Sequence, residues 1–187
     1  MDIGLDPRDT LLLVVDIQEK LVPAMPADQA AAVVRNTVNL MHAAAAVGVP
    51  VVLTEQYPKG LGPTVAPIKE ALALHPKARV VEKDCFSCVK HPDVLPLLNG
   101  LGKRRVLVVG MEAHVCVALT ARDLIGEGFI TQVAHDACSS RRPADHAVAL
   151  DLMRSGGVAI TTTETVILDW LGGATHPAFK ELSRRIK

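Results

Sequence analysis

Short apolar runs alternate with longer stretches of helical periodicity along most of the chain. Residues 11–15, Leu-Leu-Leu-Val-Val, form an uninterrupted apolar run ending at Asp16, which is typical of a strand buried on both faces of a parallel sheet. Residues 28–47 carry Ala, Val and Leu at helical spacing and end at Gly48, so they predict a helix. The same alternation predicts strands at residues 49–54, 79–83, 105–110, 129–134 and 157–161, and helices at 92–102, 115–127 and 143–154.

This order of elements predicts an α/β fold. We expect a three-layer, Rossmann-like domain whose six-stranded, mostly parallel sheet is flanked by helices and joined by right-handed crossovers. With no repeat or linker in the sequence, residues 1–187 are expected to form a single domain. The Gly/Pro-rich residues 57–63 predict a loop, and residues 163–187 predict one or two helical pieces around Pro177. Ligands of such sheets bind beyond the carboxyl ends of the strands, which here carry Asp16, Glu55, Lys83, residues 112–116 and Asp136.

Composition and charge narrow the class of partner. The 20 basic and 20 acidic side chains are scattered and give a formal net charge of zero, so no basic face indicates a nucleic acid. Aromatic residues make up 3% of the chain, which argues against stacking platforms for single-stranded nucleic acid. A small-molecule substrate is therefore the predicted partner.

The amino-terminal sequence and the apolar runs bear on location. Residues 1–6 lack the basic segment and apolar stretch of a secretory signal. The longest apolar run, residues 43–53, is too short for a membrane span and contains Gly48 and Pro50. We therefore expect a cytoplasmic protein without membrane contact, whose four cysteines are thiols.

Three chemically compatible side chains lie at the ends of three predicted strands. Cys116 begins the helix that follows the strand at 105–110, where the helix dipole favours a thiolate. Asp16 can accept the thiol proton, and the ammonium of Lys83 can stabilise the resulting charge. Each residue also has an ordinary interpretation, because a lone cysteine is often a core residue and an Asp–Lys pair is often only an ion pair. Their convergence on one sheet edge favours a nucleophilic cysteine.

The spaced sequence blocks resemble the isochorismatase-like cysteine hydrolase family. The resemblance covers about residues 10–163. Within the family, the sequence is most similar to the isochorismatase-domain-containing subgroup, which is related to nicotinamidases and carbamoylsarcosine amidases. It rests on four blocks in the family's order, namely LLVVDIQ at residues 12–18, EKDCFS at 82–87, GMEAHVCVALTARD at 110–123 and DACSS at 136–140. It implies a catalytic triad of Asp16, Lys83 and Cys116.

The resemblance also implies the rest of the site. A cis peptide bond is expected at Met111–Glu112, with the backbone N–H groups of Glu112 and Cys116 forming an oxyanion hole. The implied reaction is thiolate attack on a carbonyl, loss of an amine and hydrolysis of the thioester by a water that Asp16 activates. Substrate contacts are expected from four further side chains: Gln18, Tyr57, Phe86 and His114.

Departures from better-known members shape the predicted reaction. Nicotinamidases bind a metal through an Asp-x-His element after the second strand, but residues 54–60 read TEQYPKG. We therefore expect no metal and no cofactor. Isochorismatases of siderophore pathways tend to lack the cysteine, so Cys116 favours a cysteine hydrolase acting on a small amide or related C–N bond. A vinyl-ether hydrolase of the isochorismatase type and a catalytically silent binding or scaffold protein are the alternatives.

Two further features carry weaker predictions. Cys85 and Cys88 form a C-x-x-C with His91 nearby, but a zinc site would need a second ligand pair at suitable spacing. No role is therefore assigned to these three residues. Family members are commonly oligomers, and apolar residues around Trp170 and Phe179 are candidates for contact with another subunit. A homo-oligomer is thus expected.

Overall fold

The computed structural model describes residues 4–187 and consists of six strands and eight α-helices in those residues. The strands are β1 (Thr10–Val15), β2 (Val51–Gln56), β3 (Arg79–Lys83), β4 (Arg105–Met111), β5 (Ile130–Ser139) and β6 (Ala159–Thr161). The helices are α1 (Ala27–Val47), α2 (Pro58–Leu61), α3 (Ala66–Leu72), α4 (Val94–Gly100), α5 (Ala118–Gly126), α6 (Pro143–Ser155), α7 (Thr163–Leu171) and α8 (Phe179–Arg185). Short helical turns also occur at Val22–Ala24 and Cys88–Lys90, and a π-type turn at Ala113–Val117 precedes α5.

The strands form one sheet in the order β3-β2-β1-β4-β5-β6, and every recorded pairing is parallel. The predicted α/β fold is confirmed, and the sheet is parallel throughout. The chain adds strands outward from β1 to β3 and then returns to place β4 on the other side of β1. The direction of the connections therefore reverses between β1 and β4, which is where such sheets bind ligands at their carboxyl edge.

Successive side chains of β1 point to opposite faces of the sheet, and each face carries its own part of the core. Leu12 and Val14 pack on the face covered by α1 and α7, whereas Leu11, Leu13 and Val15 pack on the face covered by α4 and α5. All six residues of β1 are buried, as a central parallel strand requires. Within residues 4–187, no helix combines the length and apolar character needed to cross a membrane.

The structure differs from the predicted elements in three places. Residues 57–63 contain α2 instead of a continuous loop, because Pro58 occupies the first helical turn, where no backbone N–H is needed. Helix α3 was not predicted, since its seven residues are too few for a clear helical period. Strand β5 continues to Ser139 because it resumes pairing with Gly110 and Met111 after a register shift.

The apolar residues around Trp170 and Phe179 are only partly exposed. Trp170 is buried, Phe179 packs partly against the core on the α1 face, and Leu168 is 40% exposed. A subunit contact in this region stays a prediction. A homo-oligomer stays a prediction, and the exposed Val148 and Leu152 on α6 offer a different apolar surface.

Gly110 is required by the close approach of β4 to β1. Its φ is +129°, and a Cβ built on it would lie 1.9 Å from the carbonyl oxygen of Val15. We expect Gly110→Ala to lower the free energy of unfolding by about 3 kcal/mol or more, because backbone must move to relieve the clash. Urea denaturation measures this, with Gly126→Ala as control, since a Cβ there meets nothing within 4 Å. Equal stability of the two variants would contradict the expectation.

Candidate active site

Three strand ends bring Asp16, Lys83 and Cys116 together at the carboxyl edge of the sheet. Asp16 follows β1 with a φ of 53°, in the left-handed region, which turns the chain away from the strand direction. Lys83 is the last residue of β3 and reaches across β2, so that its Nζ lies 2.7 Å from Oδ2 of Asp16. Cys116 lies in the π-type turn after β4, close enough to Asp16 that the carboxylate raises the pKa of its thiol.

The ion pair between Asp16 and Lys83 is inaccessible to solvent, with both side chains 0% exposed. Burial alone would lower the pKa of Lys83, but the charge and hydrogen bond of the Asp16 carboxylate outweigh burial, so the pKa of Lys83 is raised. Removing one member of such a pair leaves an uncompensated buried charge. The pair is therefore a fixed dipole at the centre of the site.

Asp16 accepts hydrogen bonds from two side chains. Lys83 Nζ donates to Oδ2 and the hydroxyl of Thr54 donates to Oδ1, both at 2.7 Å. The backbone N–H of Asp16 also donates to the carbonyl oxygen of Thr54 at 3.1 Å. This set of donors holds the carboxylate in one orientation next to the sulfur atom.

Cys116 rests as a thiol in this environment. It is 6% exposed, and burial raises the pKa of its thiol, as does the charge of Asp16, against the opposing effect of Lys83. Burial and Asp16 thus oppose the thiolate that the helix terminus and Lys83 favour. The arrangement suits a thiol that gives its proton to Asp16 as it attacks.

The turn between β4 and Cys116 has the predicted backbone geometry. The peptide bond between Met111 and Glu112 is cis. The carbonyl oxygen of Glu112 accepts hydrogen bonds from the N–H groups of Val115 and Val117, both at 3.1 Å. The Glu112 carboxylate accepts from the backbone N–H of Arg141 at 3.1 Å and from its Nε at 2.9 Å, which ties the turn to the end of β5. The oxyanion role of Glu112 and Cys116 stays a prediction.

Two of the predicted substrate contacts are exposed aromatic rings. Tyr57 is 58% exposed and follows β2, and Phe86 is 59% exposed and follows β3. Both are joined to Lys83 through the backbone, since the N–H of Tyr57 donates to the Lys83 carbonyl oxygen at 2.8 Å and Lys83 Nζ donates to the Phe86 carbonyl oxygen at 3.4 Å. Their rings are free to contact a ligand.

The other two predicted substrate contacts have protein partners. Nδ1 of His114 lies 3.0 Å from the hydroxyl of Ser140, and the ring remains partly exposed. Gln18 is 0% exposed, and its Nε2 donates to the carbonyl oxygens of Gln56 and Gly62 at 3.0 and 2.7 Å. The Gln18 amide is thus bonded to the backbone, and its contact with a substrate stays a prediction.

Sequence reasoning missed three neighbours of the triad, namely Thr54, Gln56 and Cys88. Thr54 bonds Asp16, and Gln56 accepts a hydrogen bond from Lys83 Nζ at 2.7 Å. Cys88 places its sulfur 3.7 Å from the Thr54 hydroxyl, and burial raises the pKa of its thiol to about 11. The position of Thr54 and Gln56 at the end of β2, beside the other strand ends, was the available signal.

No group of three or more His, Cys, Asp or Glu side chains is placed to hold a metal ion in the part of the chain that the structure describes. Cys85 is partly exposed, Cys88 is buried, and all four cysteines are free thiols. His91 uses its Nδ1 to accept from the backbone N–H of Asp93 at 3.3 Å.

Comparison with known proteins identifies the family. The model of the Isochorismatase domain matches residues 10–165. Isochorismatase domain-containing protein 2A of Mus musculus is 39% identical over 182 residues, which cover 97% of this chain and 84% of that protein. A solved structure named the MAR1 ribonuclease of Caenorhabditis elegans has a TM-score of 0.90 and 36% identity, covering 98% of this chain and 92% of that one.

A more distant structure shares the same architecture. YcaC of Escherichia coli, described as an octameric hydrolase of unknown specificity, has a TM-score of 0.86 at 24% identity and covers 100% of this chain and 97% of its own. The fold is thus shared with that protein. By the match over residues 10–165 and by its relatives, the chain belongs to the isochorismatase family.

Proposed function

We propose that the protein is a metal-independent cysteine hydrolase that cleaves a small amide or related C–N bond through a thioester. The observation that carries this proposal is the buried contact of one thiol with one carboxylate that is itself paired with an ammonium. Such a set supplies a nucleophile, a proton carrier and a fixed positive charge without a cofactor.

The proposed reaction moves one proton back and forth. The Cys116 thiol transfers its proton to Asp16 while the sulfur attacks the substrate carbonyl. The N–H groups of Glu112 and Cys116 stabilise the oxyanion, and its collapse breaks the C–N bond as Asp16 returns the proton to the departing amine. Asp16 then takes a proton from water, whose oxygen attacks the thioester, and Cys116 leaves as the protonated thiol with a carboxylic acid as the product.

Other activities remain candidates for test. Isochorismatase-type cleavage of a vinyl ether and a silent binding role are the two alternatives considered from the sequence. The name of the Caenorhabditis elegans relative adds RNA cleavage. A small molecule is favoured over RNA because the chain has no net charge with which to attract a polyanion, and because the sulfur is nearly buried.

The test is a screen of small amides and N-carbamoyl compounds with the wild type, Cys116→Ala and Cys138→Ala. Cys138 is a buried cysteine in β5 and serves as the matched control. We expect release of ammonia or amine by the wild type and the control, a loss of at least about a thousandfold in Cys116→Ala, and an acyl adduct on Cys116 after acid quenching.

Three results would contradict the proposal. Amide turnover that survives Cys116→Ala would exclude the covalent mechanism. Cleavage of isochorismate or RNA in preference to every amide would favour those activities instead. Inactivity across the whole panel, with the protein folded, would favour a binding role.

A further inference from the structure

The ammonium of Lys83 has only acceptors around it. Oδ2 of Asp16 and Oε1 of Gln56 lie 2.7 Å from Nζ, and the carbonyl oxygens of Cys85 and Phe86 lie at 3.2 and 3.4 Å. Three N–H hydrogens therefore meet four acceptors. A neutral amine has only two N–H hydrogens, so it would leave two of the four acceptors without a hydrogen of their own, which is costly in a buried site.

The orientation of the Gln56 amide follows from its other partner. Its Nε2 donates to the carbonyl oxygen of Asp84 at 2.8 Å, and a carbonyl oxygen can only accept. Oε1 must therefore face Lys83. Gln56 also pairs with Lys83 in the register of β2 and β3, which sets the amide beside the ammonium.

Gln18 holds the backbone of Gln56 in turn. Its Oε1 accepts from the Gln56 N–H at 2.7 Å, and its Nε2 donates to the Gln56 carbonyl oxygen at 3.0 Å. Both glutamines are buried. The two residues thus form a chain of hydrogen bonds with one fixed polarity that ends on Lys83.

We propose that Gln56 is a positioning residue whose amide oxygen keeps Lys83 a permanent ammonium turned toward Asp16, so that Asp16 alone carries the proton of Cys116. This inference rests on the proposed function, because it divides the roles within the same thiol chemistry. The raised pKa of Lys83 agrees with the geometry. Lys83 then acts by its charge and takes no part in proton transfer.

The first test is the pH profile of Cys116 alkylation by iodoacetamide, measured by mass spectrometry. Gln56→Met removes the acceptor with little change in size, so Lys83 can turn from Asp16 and support the thiolate less. We expect the profile to move up by about one pH unit, which slows labelling about tenfold at pH 8. Partial unfolding would expose the sulfur and speed labelling. The direction of the change in labelling rate therefore separates a positioning role from a loss of stability.

Asn39→Leu is the matched control, because it removes a buried amide of α1 that donates to the carbonyl oxygen of Arg185 and makes no recorded hydrogen bond to the triad. Its profile is expected to coincide with that of the wild type. A Gln56→Met profile that also coincides with the wild type, or moves to lower pH, would overturn the proposal.

The second test follows the Lys83 side chain directly by ¹⁵N NMR, with the signal assigned by its loss in Lys83→Met. We expect a protected ammonium signal that does not titrate between pH 6 and pH 9 in the wild type, that persists in Gln56→Glu and that is lost in Gln56→Met. Titration within that range, or the same behaviour in both variants, would overturn the proposal. If Gln56→Met does not fold, the wild-type titration and Gln56→Glu still decide.

Neither test requires a substrate. Failure of the amide screen would therefore overturn the proposed function, while the alkylation and NMR results would still decide the role of Gln56.

Discussion

Replacing Asp16 by asparagine is expected to speed the alkylation of Cys116 at neutral pH while lowering amide turnover by about a hundredfold to ten-thousandfold. The two effects have opposite signs because the carboxylate has two roles. Burial and Asp16 both raise the pKa of the Cys116 thiol, and Lys83 lowers it. Without the carboxylate the influence of Lys83 remains, so the thiol ionises at lower pH.

The measurement is the alkylation rate between pH 6 and pH 10 beside turnover of the amide found by the screen. The alkylation profile of Asp16→Asn should be shifted to lower pH than that of the wild type, since a thiol with a lower pKa is deprotonated at lower pH. Asp136→Asn is the control, because Asp136 bonds Asn36 and Thr163 instead of the triad. Slower alkylation in Asp16→Asn would show that the carboxylate does not hold the thiol protonated.

Replacing Lys83 by methionine is expected to lower the free energy of unfolding by about 3–5 kcal/mol, because it strands a buried carboxylate without its cation. Both side chains are fully enclosed, so water cannot replace the lost partner. Turnover should be lost as well. Urea denaturation measures the stability, and the folded fraction at the assay temperature allows the two losses to be separated.

The double variant Asp16→Asn/Lys83→Met tests the cause of the lost stability. It removes the uncompensated negative charge of Asp16, so it should be more stable than Lys83→Met alone. Recovery should be partial, because Gln56 and two backbone carbonyls still lack their donor. A double variant less stable than the single one would mean that the cost does not arise from the uncompensated charge of Asp16.

The triad could be predicted because a parallel sheet gathers the carboxyl ends of its strands at one edge. Asp16 directly follows an apolar run, Lys83 ends a short predicted strand and Cys116 lies in the turn after another apolar run, and these positions are visible in the sequence. The cis peptide at Met111–Glu112 came from the family resemblance and is also found in the structure. The parallel α/β fold was predictable because apolar runs alternate with stretches of helical periodicity along the chain.

The surroundings of the triad could not be predicted in the same way. Whether Gln56 faces Lys83 depends on the register between β2 and β3, and a one-residue shift would turn it to the other face. The protonation of Cys116 depends on the balance between burial, Asp16 and Lys83, which requires distances. The partners of the Gln18 amide could not be predicted either, since a position in a motif does not show which way its amide points.

The two exposed aromatic rings, Tyr57 and Phe86, are structurally independent of the hydrogen bonds around Lys83. Tyr57 and Phe86 are joined to Lys83 only by main-chain atoms, and their rings extend into solvent. Replacing either ring therefore leaves the hydrogen bonds of Lys83 unchanged. If the substrate contacts these two rings, as the sequence predicts, side-chain exchange at the two positions changes what the site binds without disturbing the charged centre.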